Sequence, residues 1–273
     1  MDSTSNPALR ELYEQQVRRN TTPDNSGATV DHGPTFVRWA ANEGLGWSEV
    51  FWTSLSEANA DEAIAAHVEF YRSRGLSFVW GVYDYDLPHD LGTRLVKAGF
   101  VEDSSSTVMI AESSRVAEEP TLPDGVELVH VRDAAGVDLL ISVHESVFAR
   151  DHQDLRRSLL RRLRVAPQEI EMFVVTSGGV PISSSRIEFL PASQFAALWG
   201  GSTEPQWRGR GIYRAQTSRR AQLASERGYP YLMVLASENS RPILTRLGFE
   251  TLSHVTRYLW KPATGEELSA NEN

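Results

Sequence analysis

The chain has 273 residues, which is long for one compact domain and comfortable for two. Its formal net charge of −9 argues against general nucleic-acid binding, and the absence of cysteine excludes disulfides, cysteine nucleophiles and thiolate metal sites. With 41% hydrophobic residues a sizeable core can be buried, yet no apolar run approaches the roughly 18 residues of a membrane span. The first residues are neither basic nor apolar, so no secretory signal is predicted and a cytoplasmic protein is expected.

Hydrophobic periodicity and turn residues predict the elements of the first half. In order, they are a capped helix over 7–19, a loop over 20–31, a hairpin of strands over 36–41 and 47–52 around Gly44 and Gly46, and a helix over 58–73. An apolar strand over 76–82 follows, and a polar, proline-containing stretch over 112–124 resembles a linker.

The second half alternates strands and helices. Its predicted elements are a strand over 126–131, helices over 134–148 and 154–164, a hairpin over 171–176 and 180–190, a strand over 195–201, a helix over 213–227, a strand over 231–236 and a short helix over 240–247. The helix over 154–164 carries five arginines beside leucines that share a face. It is either a solvated helix packed by those leucines or a site for an acidic ligand.

The stretch Thr203–Tyr213 lies at a predicted strand-to-helix junction. The first N–H groups of a helix have no intrahelical partner and the helix dipole is positive there, so the position favours an anion. Gly209 and Gly211 carry no Cβ that would keep a pyrophosphate off the backbone, and Arg208 and Arg210 add charged donors. The sequence therefore predicts a pyrophosphate site.

The spacing of these glycines excludes two common phosphate motifs. A P-loop needs Gly-Lys-Ser/Thr after its glycines, and a dinucleotide-binding fold needs a third glycine where this chain has Arg214. The motif present is Gln206-x-x-Gly209-x-Gly211, preceded by a proline. After a helix and a strand, a short helix ends in Leu247-Gly248-Phe249.

These two motifs, with the order of elements around them, resemble the GNAT superfamily of N-acetyltransferases. The resemblance covers the second half of the chain. It implies an α/β (α+β) fold in which each domain is a mixed, mostly antiparallel sheet flanked by helices. It also implies binding of acetyl-CoA (coenzyme A) without a metal, and transfer of the acyl group to a primary amine by direct attack.

A weaker copy of the same pattern occupies the first half. Gly75, an apolar strand, a short helix and Gly99-Phe100 parallel Gly228, its strand and Gly248-Phe249, although the spacing between the glycines is 24 residues in one and 20 in the other. Chance recurrence of short segments is the alternative to an internal repeat. The predicted organisation is a degenerate GNAT-like N-terminal domain over 1–112, a linker over 113–124, an acyl-CoA-binding GNAT domain over 125–262 and a disordered tail over 263–273.

The first half has no counterpart of the glycine turn before its helix at residue 58. We therefore expect it to shape the substrate cleft or a homodimer rather than to bind CoA. The expected partner is a small-molecule or peptide amine, with no nucleic acid or membrane.

The resemblance implies roles for the residues around the turn. The backbone of Gly201 and Thr203 would bind the pantetheine arm, and residues 207–212 would hold the pyrophosphate. Trp199 and Trp207 are expected to pack, although an exposed Trp207 could cover the adenine. The implied cofactor-binding residues are Gly201, Thr203, Gln206, Trp207, Arg208, Gly209, Arg210, Gly211, Ile212 and Ser240.

The first chemical task is removal of a proton from the acceptor, because an alkyl ammonium has a pKa of about 10 and cannot attack while it is charged. Glu188 is the first choice of base, since family members often carry a carboxylate near that strand. A solvent-facing strand residue is the alternative reading of Glu188. Glu145 and His152 are weaker choices.

The second task is to protonate the departing thiolate, whose pKa is about 8.5. Many family members use a tyrosine in the short helix, and this chain has Leu244 there. Ser237, Ser240 or Tyr213 could replace it, or the thiolate could leave unaided. The predicted catalytic residues are Glu188, Ser237 and Tyr213. The missing tyrosine also leaves open a non-catalytic CoA-binding or regulatory module.

Overall fold

Residues 6–42 and 46–262 are described by the computed structural model, in which every strand belongs to a single sheet. The strands are β1 Thr29–His32, β2 Phe36–Ala40, β3 Glu49–Thr53, β4 Phe78–Tyr83, β5 Val101–Glu112, β6 Val126–Val131, β7 Ile170–Ser177, β8 Val180–Phe189, β9 Phe195–Thr203, β10 Tyr231–Ala236 and β11 Glu250–Trp260. The helices are α1 Pro7–Tyr13, α2 Ala60–Arg72, α3 Leu91–Lys97, α4 Ser113–Val116, α5 Ala134–Phe148, α6 Gln153–Val165, α7 Ile212–Glu226 and α8 Arg241–Arg246.

Two helices begin where the sequence places a capping side chain. The side-chain oxygen of Asn6 accepts hydrogen bonds from the N–H groups of Ala8 and Leu9, and Pro7 takes the first helical position of α1. A π-helical segment, Glu14–Arg19, then extends α1 to the predicted end. The Asp133 side chain accepts from the N–H of Gly136 at 2.8 Å and so caps α5.

The prediction of a loop over 20–31 is wrong in its last residues. Thr29–His32 forms β1, which pairs antiparallel with β2 from Thr29 opposite Ala40. The predicted hairpin of β2 and β3 is confirmed, although Gly44 at its turn lies outside the described residues. The stretch predicted as a linker contains α4, which packs against α7.

The sheet is mixed and mostly antiparallel, as predicted, and helices flank it. Its strand order is β1-β2-β3-β4-β11-β5-β10-β9-β8-β7-β6. The last strand, β11, lies between β4 and β5, and β5 pairs with β10 of the second half. Each half therefore receives one strand from the other, and the sheet continues across the predicted boundary at residue 112. That boundary stays a prediction about folding units.

The internal repeat appears in the sheet as two parallel strand pairs that part after a few residues. In the second half, β9 and β10 pair from Phe195 opposite Tyr231 to Ala197 opposite Met233. In the first half, β3 and β4 pair only at Glu49 opposite Val79 and Val50 opposite Trp80.

The space between β3 and β4 beyond their paired residues, here called the first-half gap, is filled by the side chain of Arg18. The Arg18 guanidinium lies 3.7 Å above the ring of Tyr83, donates to the carbonyl of Phe51 on β3 at 3.3 Å, and forms a two-pronged ion pair with Asp86. A buried arginine thus occupies the space beside β3, and no glycine turn follows that strand. These contacts leave less room between β3 and β4; a supporting role for the first half stays a prediction.

The core runs along both faces of the sheet. Met109, Leu232, Leu244 and Phe249 pack beneath α7, and Trp80 and Leu95 are buried in the first half. Among the described residues no helix is long and apolar enough to cross a membrane.

Candidate functional site

The predicted phosphate turn joins β9 to α7 through a short 3₁₀ turn, Pro205–Trp207. Gly209 has φ +74° and Gly211, which precedes the first residue of α7, has φ +82°. Both values lie in the left-handed region, which glycine adopts without the steric cost that a Cβ imposes. A Cβ built on either glycine would have no atom within 4 Å, so the space above the turn is open.

The backbone of this turn presents unused donors. Within the described part of the chain, the N–H groups from Gly209 to Arg214 donate to no protein acceptor, and the first bond of the helix runs from Ala215 to the carbonyl of Gly211. Consecutive free N–H groups at the positive end of a 15-residue helix form an anion site. The residues present therefore fit a pyrophosphate.

The arginines of the turn have different positions. Arg208 Nε donates to the carbonyl of Thr203 at 3.0 Å, which fixes the turn to the end of β9. Arg210 lies 4.7 Å from the ring centre of Trp207, and Arg214 forms an ion pair with Glu118. Arg208 and Arg214 are thus engaged with other parts of the chain, whereas Arg210 is exposed beside Trp207 and its role toward an anion stays a prediction.

The remaining predicted cofactor residues surround the turn. Gln206 is exposed, Trp207 is half-buried, and Ile212 is 1% exposed and packs with Val175 and Ile182. Trp207 therefore packs as expected, and Ile212 can contribute only its backbone. Their roles toward CoA stay predictions.

Beyond Ala197, β9 runs beside β10 without pairing to it, while its other edge stays paired with β8 up to Ser183 opposite Thr203. A gap therefore opens between the two strands on the side where Gly201 and Thr203 were predicted to meet a pantetheine arm. Gly200 has φ +60° and sits at a shift in the β8–β9 register. A Cβ at Gly200 would lie 2.7 Å from His144 Nε2 and 2.9 Å from Arg186 Nη1, so glycine is required for that close approach.

The predicted proton donors lie near the two strands that border this gap. Tyr213 packs against β9, since a Cβ at Gly201 would lie 2.8 Å from its ring, and burial raises the pKa of Tyr213. Ser237, just after β10, is exposed and its hydroxyl lies 3.1 Å from that of Ser240. Leu244, at the usual tyrosine position, is fully buried in the core. Tyr213 therefore stays protonated and adjacent to the strand.

Glu188, the predicted base, is buried between two arginines rather than facing solvent. Its Oε1 accepts from Arg186 Nε and lies 2.8 Å from Arg162 Nη1. Burial raises the pKa of Glu188, but Arg162 and Arg186 outweigh it and hold the pKa below its ordinary value. These contacts favour a role in holding the arginines, and the role of Glu188 as base stays a prediction.

A cleft of about 480 Å³, here called the outer cleft, lies between the two halves beside β9. The side chains of α5 and α6 form one wall, and the segments around residues 24–26 and 46–47 of the first half form another. His152, a weaker predicted base, lines it and is held by Arg150, whose carbonyl lies 3.0 Å from His152 Nδ1. Glu145 accepts instead from the N–H of His152 and braces the turn between the helices.

A smaller cavity of about 70 Å³, here called the inner cavity, continues from the outer cleft to the gap between β9 and β10. Both strands line it, through Ala197 and Trp199 on one side and Met233 and Leu235 on the other. The outer cleft and the inner cavity share five residues, which are Asp24, Trp47, Glu188, Trp199 and Arg257. Trp199 therefore lines a cavity as well as packing.

His144 was missed by sequence reasoning. Its Nε2 lies 3.2 Å from the carbonyl of Gly200, and its ring is 4% exposed. Burial lowers the pKa of His144 to about 4, with smaller contributions from Arg186 and His152. A histidine within an apolar helix pattern was the available signal, but only the fold brings it to Gly200.

Because of His144, we expect the free energy of unfolding to decrease as the pH is lowered. Between pH about 4 and 6.5 the unfolded chain binds a proton at this ring that the folded chain does not, so the free energy of unfolding decreases as the pH falls through that window. The full difference corresponds to about 3 kcal/mol. Denaturant unfolding of His144→Gln across this range should show a shallower slope, whereas the exposed His89→Gln should match the parent. His67, also buried, leaves part of the slope in place.

Glu49 was also missed. It begins β3, is 6% exposed and lines the inner cavity opposite the gap. A single carboxylate within Trp47-Ser-Glu-Val-Phe-Trp52 was the signal in the sequence. Whether Glu49 lies in a cavity depends on how the first half packs against the second, and the local sequence pattern does not predict that packing. No cluster of three or more metal-ligating side chains occurs in residues 6–42 and 46–262.

Solved structures share this fold over nearly the whole chain. The GCN5-related N-acetyltransferase from Kribbella flavida superposes with a TM-score of 0.68 at 15% identity, covering 94% of this chain and 95% of that one. A functionally unknown conserved protein from Staphylococcus epidermidis gives 0.66 at 10% identity, covering 93% and 100%. A tandem GNAT protein from the clavulanic acid biosynthesis pathway gives 0.62 at 14% identity, covering 94% of each.

No protein-family model matches the sequence, and no curated protein does either. The structural likeness confirms the resemblance to GNAT proteins, in the tandem form, at the level of the fold.

Proposed function

We propose that this chain, which has the tandem GNAT fold, is an acyl-CoA-dependent N-acyltransferase that uses acetyl-CoA and a primary amine. The observation that carries the proposal is the continuity of three features. Free N–H groups at the start of α7 suit a pyrophosphate, the gap between β9 and β10 begins beside them, and that gap opens into a cavity between the halves.

Each part of the chain has a task in this proposal. The turn from Gly209 to Gly211 and the first N–H groups of α7 hold the pyrophosphate, with Arg210 adding charge. The edge of β9 beyond Ala197 offers backbone groups that β10 does not use. A bound acyl thioester supplies an electrophilic carbonyl carbon, which the amine attacks as the C–N bond forms and the C–S bond breaks.

Tyr213 is the proposed donor to the departing sulfur. It packs against Gly201 on β9, and burial keeps its hydroxyl protonated across the neutral range by raising its pKa. Ser237 and Ser240, at the end of β10, are the alternatives on the opposite side of the gap. Because a thiolate is a stable leaving group, the contribution of any donor is expected to be small.

The alternative is a CoA-binding module without catalysis. It is supported by Leu244, which is buried at the position where the resemblance implies a catalytic tyrosine. A module of this kind needs the turn but has no need of a cavity beside the thioester end. The inner cavity and the outer cleft favour an enzyme.

Calorimetric titration with acetyl-CoA and with free CoA tests the first part of the proposal. We expect 1:1 binding of both with micromolar dissociation constants. Release of free thiol from acetyl-CoA in the presence of a primary amine then tests catalysis. Binding without thiol release across a broad panel of amines would favour the module, and no binding of either compound would overturn the proposal.

A further inference from the structure

The inner cavity combines a carboxylate from the first half with aromatic walls, while the outer cleft carries arginines. Resting on the proposed function, we propose that Glu49 accepts the proton of the acceptor's ammonium, and that the acceptor carries a carboxylate held by the arginines of the outer cleft. The acceptor class is therefore a dipolar primary amine.

Glu49 is placed to meet the amine. It lines the same inner cavity as Ala197, Trp199 and Met233, which border the gap where the thioester would lie. Its carboxylate accepts no hydrogen bond from any described residue, and its nearest cation is Arg257, at 3.7 Å. Glu188 differs, because two arginines lie 2.8 Å from one of its oxygens. Glu49 thus has capacity for a further donor.

The pKa of Glu49 suits a general base. Burial raises its pKa, and Arg257 and Arg18 oppose that increase without cancelling it. The other titratable groups that interact with it are Tyr71, whose hydroxyl donates to the Glu49 carbonyl, and Tyr83. A carboxylate with a raised pKa takes a proton from an ammonium more readily than an ordinary one.

The walls of the inner cavity suit a small cation. Its aromatic lining consists of Tyr13, Trp39, Trp47, Phe51, Tyr83 and Trp199. Aromatic faces attract an ammonium ion, and most strongly when water is excluded. A cavity of about 70 Å³ has room for a small group such as an aminomethyl, since about 10–15 Å³ of this kind of volume holds one water molecule. The amine end of an acceptor fits there.

The outer cleft has the opposite electrostatic character. Its lining arginines are Arg150, Arg162, Arg186 and Arg257, whereas its carboxylates are Asp24, Asp154 and Glu188. Asp154 is already paired with Arg157 on the same helix. Positive charge is therefore in excess in the outer cleft, and negative charge in the inner cavity.

Buried donors without acceptors point to a missing partner at the same place. Among the described residues, Nε of Arg162 and Nε of Arg257, two arginines that line the outer cleft, are buried and have no hydrogen-bond partner. An unsatisfied buried donor costs about 1–3 kcal/mol, so such groups favour a ligand that supplies oxygen atoms. A carboxylate matches the fork of a guanidinium.

The proton transfer is balanced within the site. One proton of the ammonium passes to a carboxylate oxygen of Glu49, which frees the nitrogen lone pair for attack. The nitrogen loses a second proton after the C–N bond forms, and that proton replaces the one that the Tyr213 hydroxyl gives to the departing thiolate. Glu49 returns its proton to water through the outer cleft.

Three probes that share a five-carbon chain test the inference: 5-aminopentanoate, pentylamine and pentanoate. With saturating acetyl-CoA, we expect kcat/KM for thiol release to be about 10-fold higher with 5-aminopentanoate than with pentylamine, because only the former offers both charges. Ligand-observed NMR in the absence of acetyl-CoA should detect 5-aminopentanoate binding more strongly than either singly charged probe.

Variants separate the two roles. Glu49→Gln should lower kcat about 100-fold and remove the loss of rate on the acidic side of the pH profile, while CoA binding by calorimetry stays unchanged. Arg257→Lys keeps the charge beside Glu49 but should raise KM for 5-aminopentanoate several-fold more than for pentylamine. Glu62→Gln, at an exposed carboxylate on α2, is the control for both.

Three results would overturn this inference while leaving the proposed function intact. They are equal or better use of pentylamine, a Glu49→Gln variant with the parent kcat and pH profile, and CoA binding without any binding or turnover of 5-aminopentanoate. If the parent protein did not bind CoA, that result would contradict the proposed function instead.

Discussion

Replacement of Gly209 by valine is expected to weaken CoA binding by about 100-fold, which corresponds to about 2.7 kcal/mol. Gly209 has φ +74°, a conformation that costs a β-branched residue about 1–2 kcal/mol or more. The new side chain also enters the open space above the free N–H groups, where the pyrophosphate would lie. Calorimetric titration with CoA measures the change.

A matched control separates backbone strain from loss of the anion site. Gly178 lies in the exposed turn between β7 and β8, has φ +56°, and likewise has no atom within 4 Å of a built Cβ. Gly178→Val should lose similar stability and bind CoA like the parent. If Gly209→Val bound CoA with the parent affinity, the pyrophosphate would have to lie elsewhere.

Replacement of Glu188 by glutamine is expected to lower the free energy of unfolding by about 3–5 kcal/mol, because it leaves the buried Arg162 and the half-buried Arg186 without their nearest counter-charge. Arg162 is 4% exposed and Glu188 is 8% exposed. Denaturant unfolding followed by circular dichroism measures the loss. If Glu188 only positions the arginines, kcat falls without a change in the pH–rate profile. If it is the base predicted from the sequence, the acidic limb of the profile disappears.

The double variant Glu188→Gln with Arg162→Met should recover part of the lost stability, since it removes one of the uncompensated charges. Asp154→Asn, which breaks an exposed ion pair with Arg157, should cost less than about 1 kcal/mol and is the matched control. A Glu188→Gln protein as stable as the parent would mean that solvent reaches this pair and screens it.

Local sequence carried most of the information about the phosphate turn. Gly209, Gly211 and the helix that begins at Ile212 lie within a few residues of one another, so their backbone conformation follows from their own types. The same locality let the capped α1, the hairpin of β2 and β3, and the Gly-Phe ends be predicted. The failure over 29–32 has the opposite cause, because β1 exists through its pairing with β2.

The base was harder to identify, because a carboxylate's protonation depends on neighbours that are distant in sequence. Glu188 reads as a strand residue, and only the packing of α6 brings Arg162 to it. Glu49 reads as the polar start of an apolar strand, and only the contact between the halves places it across from Trp199. Neither the contact with Arg162 nor the position across from Trp199 can be predicted from the local sequence pattern.

The sequence by itself determined the tandem organisation, the strand-to-helix glycine turn and the absence of such a turn from the first half, since each depends on residue types at short spacing. The tertiary structure alone decided that β11 lies between β4 and β5, that Arg18 fills the first-half gap, and that Glu49 shares a cavity with β9 and β10. These features depend on which strands pair and which faces pack. That choice is made by burial over the whole sheet rather than by any one segment.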